Sequence, residues 1–147
     1  MFTQTNIFMK SLHKIIVTCL AITAFSCGND DDNNSVDSSL LLKKWYYVSD
    51  KVAGETIPYD DHEPCGRDYS EFLINGTMND VDVFNCELVT DTYSYTVNGN
   101  QLTVSDSQFT DTVTITKLTA TDLEVQSTFD YDDDGDNEVV TVVYSAL

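Results

Sequence analysis

Basic side chains are scarce: 7 Lys and Arg stand against 25 Asp and Glu, a formal net charge of −18. Binding to nucleic acid needs a basic patch along the phosphates, so that class is excluded. Retention on anionic headgroups by charge is excluded for the same reason. Histidine is limited to His13 and His62, which leaves little imidazole for catalysis. Proline occurs only as Pro58 and Pro64, inside one stretch that reads as a long loop, residues 51–64. Glycine is too scattered for a phosphate-cradling loop. No long segment repeats with the helical period, so a helical protein is not expected. Apolar residues are plentiful, at 41% with 11% aromatic. That is enough for a core and rules out wholesale disorder.

The longest apolar stretch, Ile15 to Phe25, has 11 residues, and it follows Lys10 and Lys14. A bilayer span needs about 20 residues, so this is the length of a signal-peptide core. Ala24-Phe25-Ser26-Cys27 comes next. The segment resembles a bacterial lipoprotein signal, which implies cleavage after residue 26 and acylation of Cys27. A plain secretory signal is the competing reading. Gly28-Asn29-Asp30-Asp31-Asp32 follows, acidic and polar, and residues 27–39 read as a disordered tether. The run is similar to the acidic export signal of surface lipoproteins in Bacteroidota-type bacteria. The expected location is the outer membrane, lipid-anchored and facing outward. Past residue 26 the chain carries 5 basic and 25 acidic groups, a formal charge of −20.

With Cys19 in the signal and Cys27 lipidated, Cys65 and Cys86 remain as a pair in an oxidising compartment. They flank Asn75-Gly76, a two-residue hairpin signal. In that register paired positions sum to 151, so Cys65 and Cys86 oppose each other on a non-hydrogen-bonded rung. A disulfide is expected there. A metal or catalytic thiol pair ranks lower, because no short C-x-x-C spacing accompanies it.

Eight short strands are expected: residues 45–49, 67–74, 77–84, 92–97, 101–105, 111–117, 122–129 and 138–144. Ser38 or Ser39 can cap a short helical turn before the first strand. Asn98-Gly99 reads as the next two-residue turn, with pairs summing to 197. Eight strands in about 108 residues suggest a closed antiparallel barrel or a sandwich. The order of the Trp45 strand, Cys65, Phe72-x-x-Asn75-Gly76-Thr77, Cys86, Tyr93-x-Tyr95-x-Val97, Asn98-Gly99-Asn100-x-Leu102 and Leu118-Thr119-x-x-x-Leu123 resembles the lipocalin-like domain of small Bacteroidota lipoproteins. The resemblance implies an all-β, eight-stranded, up-and-down antiparallel barrel over residues 40–147. It also implies a binding module for a small apolar or glycan ligand. Lipocalins usually have glycine two residues before this tryptophan, where Lys43 stands here.

Trp45, Tyr47, Tyr93 and Tyr95 are the candidate ligand-binding residues. Simple barrel packing is the alternative for each, and a filled barrel serving a structural or protein-interaction role is the alternative function. No enzyme is expected. His62 lies in a hydrophilic loop with Asp60 and Glu63, where a solvated surface loop outranks an ion site. The sharpest metal candidate is Asp130, Asp132, Asp134, Asp136 and Glu138, oxygen ligands at alternate positions around Gly135. That pattern suits Ca²⁺, although position twelve, Thr141, is not the bidentate Glu of an EF-hand. A charged hairpin loop is the competing reading.

Overall fold

The computed structural model describes residues 35–147. The expected signal, Cys27 and the start of the tether lie outside the described residues. Nine strands run in chain order: β1 (Lys44–Val52), β2 (Glu55–Pro58), β3 (Tyr69–Phe72), β4 (Thr77–Phe84), β5 (Glu87–Asn98), β6 (Gln101–Ser105), β7 (Thr110–Leu118), β8 (Asp122–Phe129) and β9 (Glu138–Ser145). All neighbouring pairs are antiparallel. The sheet closes on itself through β1 and β9, which makes an eight-stranded barrel of β1 and β3 to β9. Closure removes the free edges that would otherwise invite pairing.

The ninth strand is the exception. β2 folds back on the second half of β1 through Ala53-Gly54, both at positive φ (50° and 85°), and is exposed throughout. It lies within the stretch expected to be a plain loop. Its Pro58 is tolerated because the strand is an edge.

Two hairpin registers differ from expectation. β3 and β4 pair with positions summing to 150, as in Phe72 with Met78. Leu73 N–H donates to Thr77 O (2.8 Å) and Gly76 N–H to Leu73 O (3.1 Å), so the loop holds three residues. Gly76 takes φ 80°, the left-handed residue of such a loop. β5 and β6 pair with sums of 199, as in Val97 with Leu102. The turn is thus Gly99-Asn100, and Gly99 (φ 62°) supplies the positive φ at the first central position of a type II′ turn.

The first change relocates the disulfide. Cys65 and Cys86 are bonded, with Cα atoms 5.7 Å apart, but neither occupies a ladder rung. Cys65 lies in a turn before β3, and Cys86 is the second residue of the Asn85-Cys86 turn between β4 and β5. The bridge therefore fastens a hairpin tip to a loop. Both turn residues have positive φ, 53° and 63°, which L-residues other than glycine rarely adopt.

The barrel is plugged at one end. A 3₁₀ turn, Ser38–Leu41, is capped by Asp37, whose Oδ1 accepts from Ser39 N–H (3.1 Å); the expected serine caps are one or two residues late. Val36, within the stretch read as tether, already packs on the core, and its N–H reaches Gly99 O (3.2 Å). Leu41 and Trp45 are fully buried among Phe72, Leu102, Ile115 and Leu123. Trp45 Nε1–H donates to Leu41 O (2.9 Å). Lys43 reaches across the indole, Nζ 5.4 Å from its centroid, and donates to Ala120 O (2.9 Å). The side chain at the usual glycine position thus helps seal the floor.

Candidate functional site

Side chains alternate in and out along each strand, and those pointing in change character with height. At the floor they are Trp45, Phe72, Leu102 and Leu123. Higher up, β1 offers Tyr47, β3 Ser70, β4 Asp80 and β9 Tyr144. These surround a cavity of about 300 Å³ above the floor, at the small end of the range for ligand pockets. Phe109, Asp111 and Ser127 also line it.

A polar cluster is set into one wall. Tyr47 Oη–H donates to Asp80 Oδ1 (2.9 Å), and Ser70 Oγ–H donates to the same oxygen (2.8 Å). Tyr47 Oη lies 3.3 Å from Ser70 Oγ. The Tyr47 ring packs between Tyr59 (centroids 5.1 Å) and Tyr144 (4.7 Å). Tyr93 meets Phe109 edge-on at 5.5 Å.

Burial raises the Tyr47 hydroxyl well above the ordinary tyrosine range, and the neighbouring Tyr144 and the Asp80 charge add to this. Tyr144 is raised chiefly by burial as well. In the unfolded chain both ionise near pH 10. Their folded-state values lie higher, so the unfolded state loses protons first and stability falls as pH climbs above about 10. Tyr59 is raised too, by burial and by its hydrogen bond to Asp68. In a spectrophotometric alkaline titration at 295 nm, three of the eight tyrosines, Tyr47, Tyr59 and Tyr144, should ionise only as the barrel unfolds. In Tyr47→Phe, one tyrosine fewer should appear in that late step. Smooth titration of every tyrosine near pH 10 in a folded protein contradicts the packing described.

Of the four expected aromatics, Tyr47 and Tyr93 line the cavity. Trp45 does not: it is core in the floor. Tyr95 is held against the wall, edge-on to Phe72 (5.0 Å), with its hydroxyl donating to Leu73 O (3.0 Å). Ser70 and Asp80 are two of the cavity residues that the aromatic pattern misses. Their signal is parity: Ser70 is two from Phe72 and Asp80 two from Met78, so all four face inward.

His62 does not gather Asp60 and Glu63. The Asp68 N–H donates to Nδ1 (3.2 Å), which leaves Nε2–H to donate to Tyr47 O (2.9 Å). Glu63 instead accepts from Asn85 N–H (3.2 Å). Asp68, only 2% exposed, accepts from Tyr59 Oη–H (2.6 Å) and Val83 N–H (2.7 Å). Its carboxylate takes the place of a ladder bond just ahead of the start of β3 and straps residues 59–68 to the barrel.

Of the five acidic loop candidates, Asp130, Asp132 and Glu138 bring ligand oxygens within 4.8 Å of one another. Asp134 and Asp136 are not in that group. Asp130 already accepts from Asp134 N–H and Gly135 N–H, and Asp134 accepts from Asp136 N–H (2.9 Å).

Comparison with known proteins gives a consistent picture. Residues 41–125 match the family model described as a lipocalin-like domain. Among solved structures, a lipocalin-like protein from Bacteroides uniformis ATCC 8492 superposes with a TM-score of 0.52 at 13% identity, covering 74% of this chain and 99% of its own. At that identity the likeness is one of fold. No curated protein matches the chain.

Proposed function

The chain belongs to the lipocalin-like domain family, and from that premise we propose that it is a lipid-anchored binding module whose barrel takes up one small amphipathic molecule. The observation that carries this reading is the cavity of about 300 Å³, apolar toward the floor and polar at Tyr47, Ser70 and Asp80. A barrel packed solid, the competing structural role, would leave no such space. The fold is one used for binding rather than catalysis, and both His62 nitrogens are engaged with backbone.

Cys27 is the proposed anchor and the outer surface of a bacterial outer membrane the proposed location, on the order of basic, apolar and small residues before it. Two or more acyl chains give stable attachment, at about 0.8 kcal/mol per buried CH₂. Native mass spectrometry of membrane-extracted protein tests both parts. An acylated mature chain beginning at residue 27 and a bound small molecule in one-to-one ratio are expected. An unmodified Cys27 contradicts the anchor, and a barrel that binds no amphiphile at any concentration contradicts the module.

A second reading concerns Ca²⁺, favoured by the convergence of Asp130, Asp132 and Glu138. With an affinity of about 10⁻⁴–10⁻³ M, as in extracellular modules, millimolar calcium adds about 1 kcal/mol. The melting temperature should rise by a few degrees. Asp132→Asn should abolish the increment. An equal increment with magnesium at matched ionic strength would reduce the effect to charge screening.

A further inference from the structure

We infer that the cavity selects a cationic amphiphile, an apolar body ending in a protonated amine, over neutral or anionic molecules of the same size. This rests on the binding reading above and specifies its ligand. The residues lining the cavity include two carboxylates, Asp80 and Asp111, and no Lys, Arg or His. An anionic ligand would bring a third negative charge into a partly desolvated space with no partner, where like charges repel more strongly than in water.

Asp80 is built to receive a cation. Tyr47 and Ser70 both donate to its Oδ1, which fixes the carboxylate and leaves Oδ2 for a ligand. The ladder places Asp80 directly opposite Asp91 on β5, so both lie on the same face of the sheet. Like charges directly opposite destabilise a strand pair, and a cation at the mouth relieves that repulsion. Burial chiefly raises the Tyr47, Tyr93 and Tyr144 hydroxyls, and the Asp80 charge adds to all three, which stand on three strands around the cavity. The negative field of Asp80 therefore reaches several sides of the space.

The surrounding chemistry suits an ammonium group. Tyr93, Phe109 and Tyr144 line the cavity together with Asp80, and aromatic faces attract cations. Below them Phe72, Leu102, Leu123 and Val125 form an apolar end for the rest of the molecule. Charge is thus met at the polar height and hydrocarbon at the floor.

The test is isothermal titration of the full-length chain carrying Cys27→Ser, which removes the acylation site, with octylamine, octanol and octanoate at pH 7. These share one apolar body and differ in charge, the amine being protonated like a lysine. Octylamine should bind one-to-one and at least tenfold more tightly than octanol, with octanoate weaker still. Asp80→Asn keeps an acceptor for Tyr47 and Ser70, so the barrel should stay folded by its melting curve while the amine preference disappears. Asp111→Asn should reduce the preference by a smaller factor. Glu55→Gln, the same charge change on exposed β2, should leave it intact. Octanol and octanoate binding as tightly as octylamine overturns the inference while leaving the binding module standing. No binding of any of the three overturns both. An amine preference that survives Asp80→Asn, or that falls as far in Glu55→Gln as in Asp80→Asn, reduces it to attraction by the net negative surface.

Discussion

Truncating Trp45 to alanine should destabilise the barrel by about 3–5 kcal/mol, the range for removing a large buried aromatic. Trp45 is fully buried, in the same core cluster as Leu41, Phe72, Leu102 and Leu123. Its removal leaves a void, and it also strips Leu41 O of the indole donor. Domains of this size are stable by about 5–15 kcal/mol in all, so a large share of the margin is lost. The melting temperature should fall by roughly 15 °C, and the denaturant midpoint should drop with the slope unchanged. Trp45→Phe separates the two contributions: it keeps most of the packing and removes the hydrogen bond, for about 1–3 kcal/mol. A loss below about 1 kcal/mol on Trp45→Ala contradicts the plugged floor.

Removing the bridge with Cys65→Ser and Cys86→Ser should cost about 3 kcal/mol, since it closes a separation of 21 residues. That corresponds to roughly 10 °C in melting temperature. The bridge ties the β4–β5 tip to the loop before β3, so its loss should raise hydrogen exchange first at residues 59–68 and 84–88, while the floor stays protected. Backbone geometry adds a finer expectation. Cys86 sits at φ 63°, where a glycine is unstrained. On a Cys65→Ser background, Cys86→Gly should therefore be more stable than Cys86→Ser by about 1 kcal/mol. If the serine variant is the more stable, the left-handed turn at Asn85-Cys86 is wrong.

The eight barrel strands could be read from the sequence because their inward residues alternate plainly, as in Val113 with Ile115 and Leu123 with Val125. Register was harder. Gly76 serves a two-residue or a three-residue loop equally well, and a change of one residue turns every later pairing by one step. At Gly99 the change is two steps, which keeps Tyr95, Val97, Leu102 and Val104 on one face, so the hydrophobic pattern cannot report the difference. The β1–β2 hairpin was hidden because Ala53-Gly54 carries no polar turn residue and β2 has no buried face. The sequence pairs Cys65 with Cys86 through a register that the fold does not use; the partners are nonetheless right, because loops at the same end of the barrel bring them together. In the site, tyrosines stand out in any sequence, whereas Asp80 is one carboxylate among 25 acidic residues. Only its parity with Met78 distinguishes it, and that becomes informative once the strand is placed. Trp45 shows the opposite error: an aromatic in the right strand, one layer too low to meet a ligand.

Methyl-resolved NMR during titration with octylamine tests the central claim, that the space above the floor is a binding site. Val104, Val113 and Val142 line the cavity, and their methyl resonances should shift and saturate together at one equivalent. Leu88 and Val139, exposed on the outside of the barrel, should stay fixed. Shifts confined to Leu88 and Val139, or cavity methyls unmoved at saturating ligand, would contradict a binding site in the barrel.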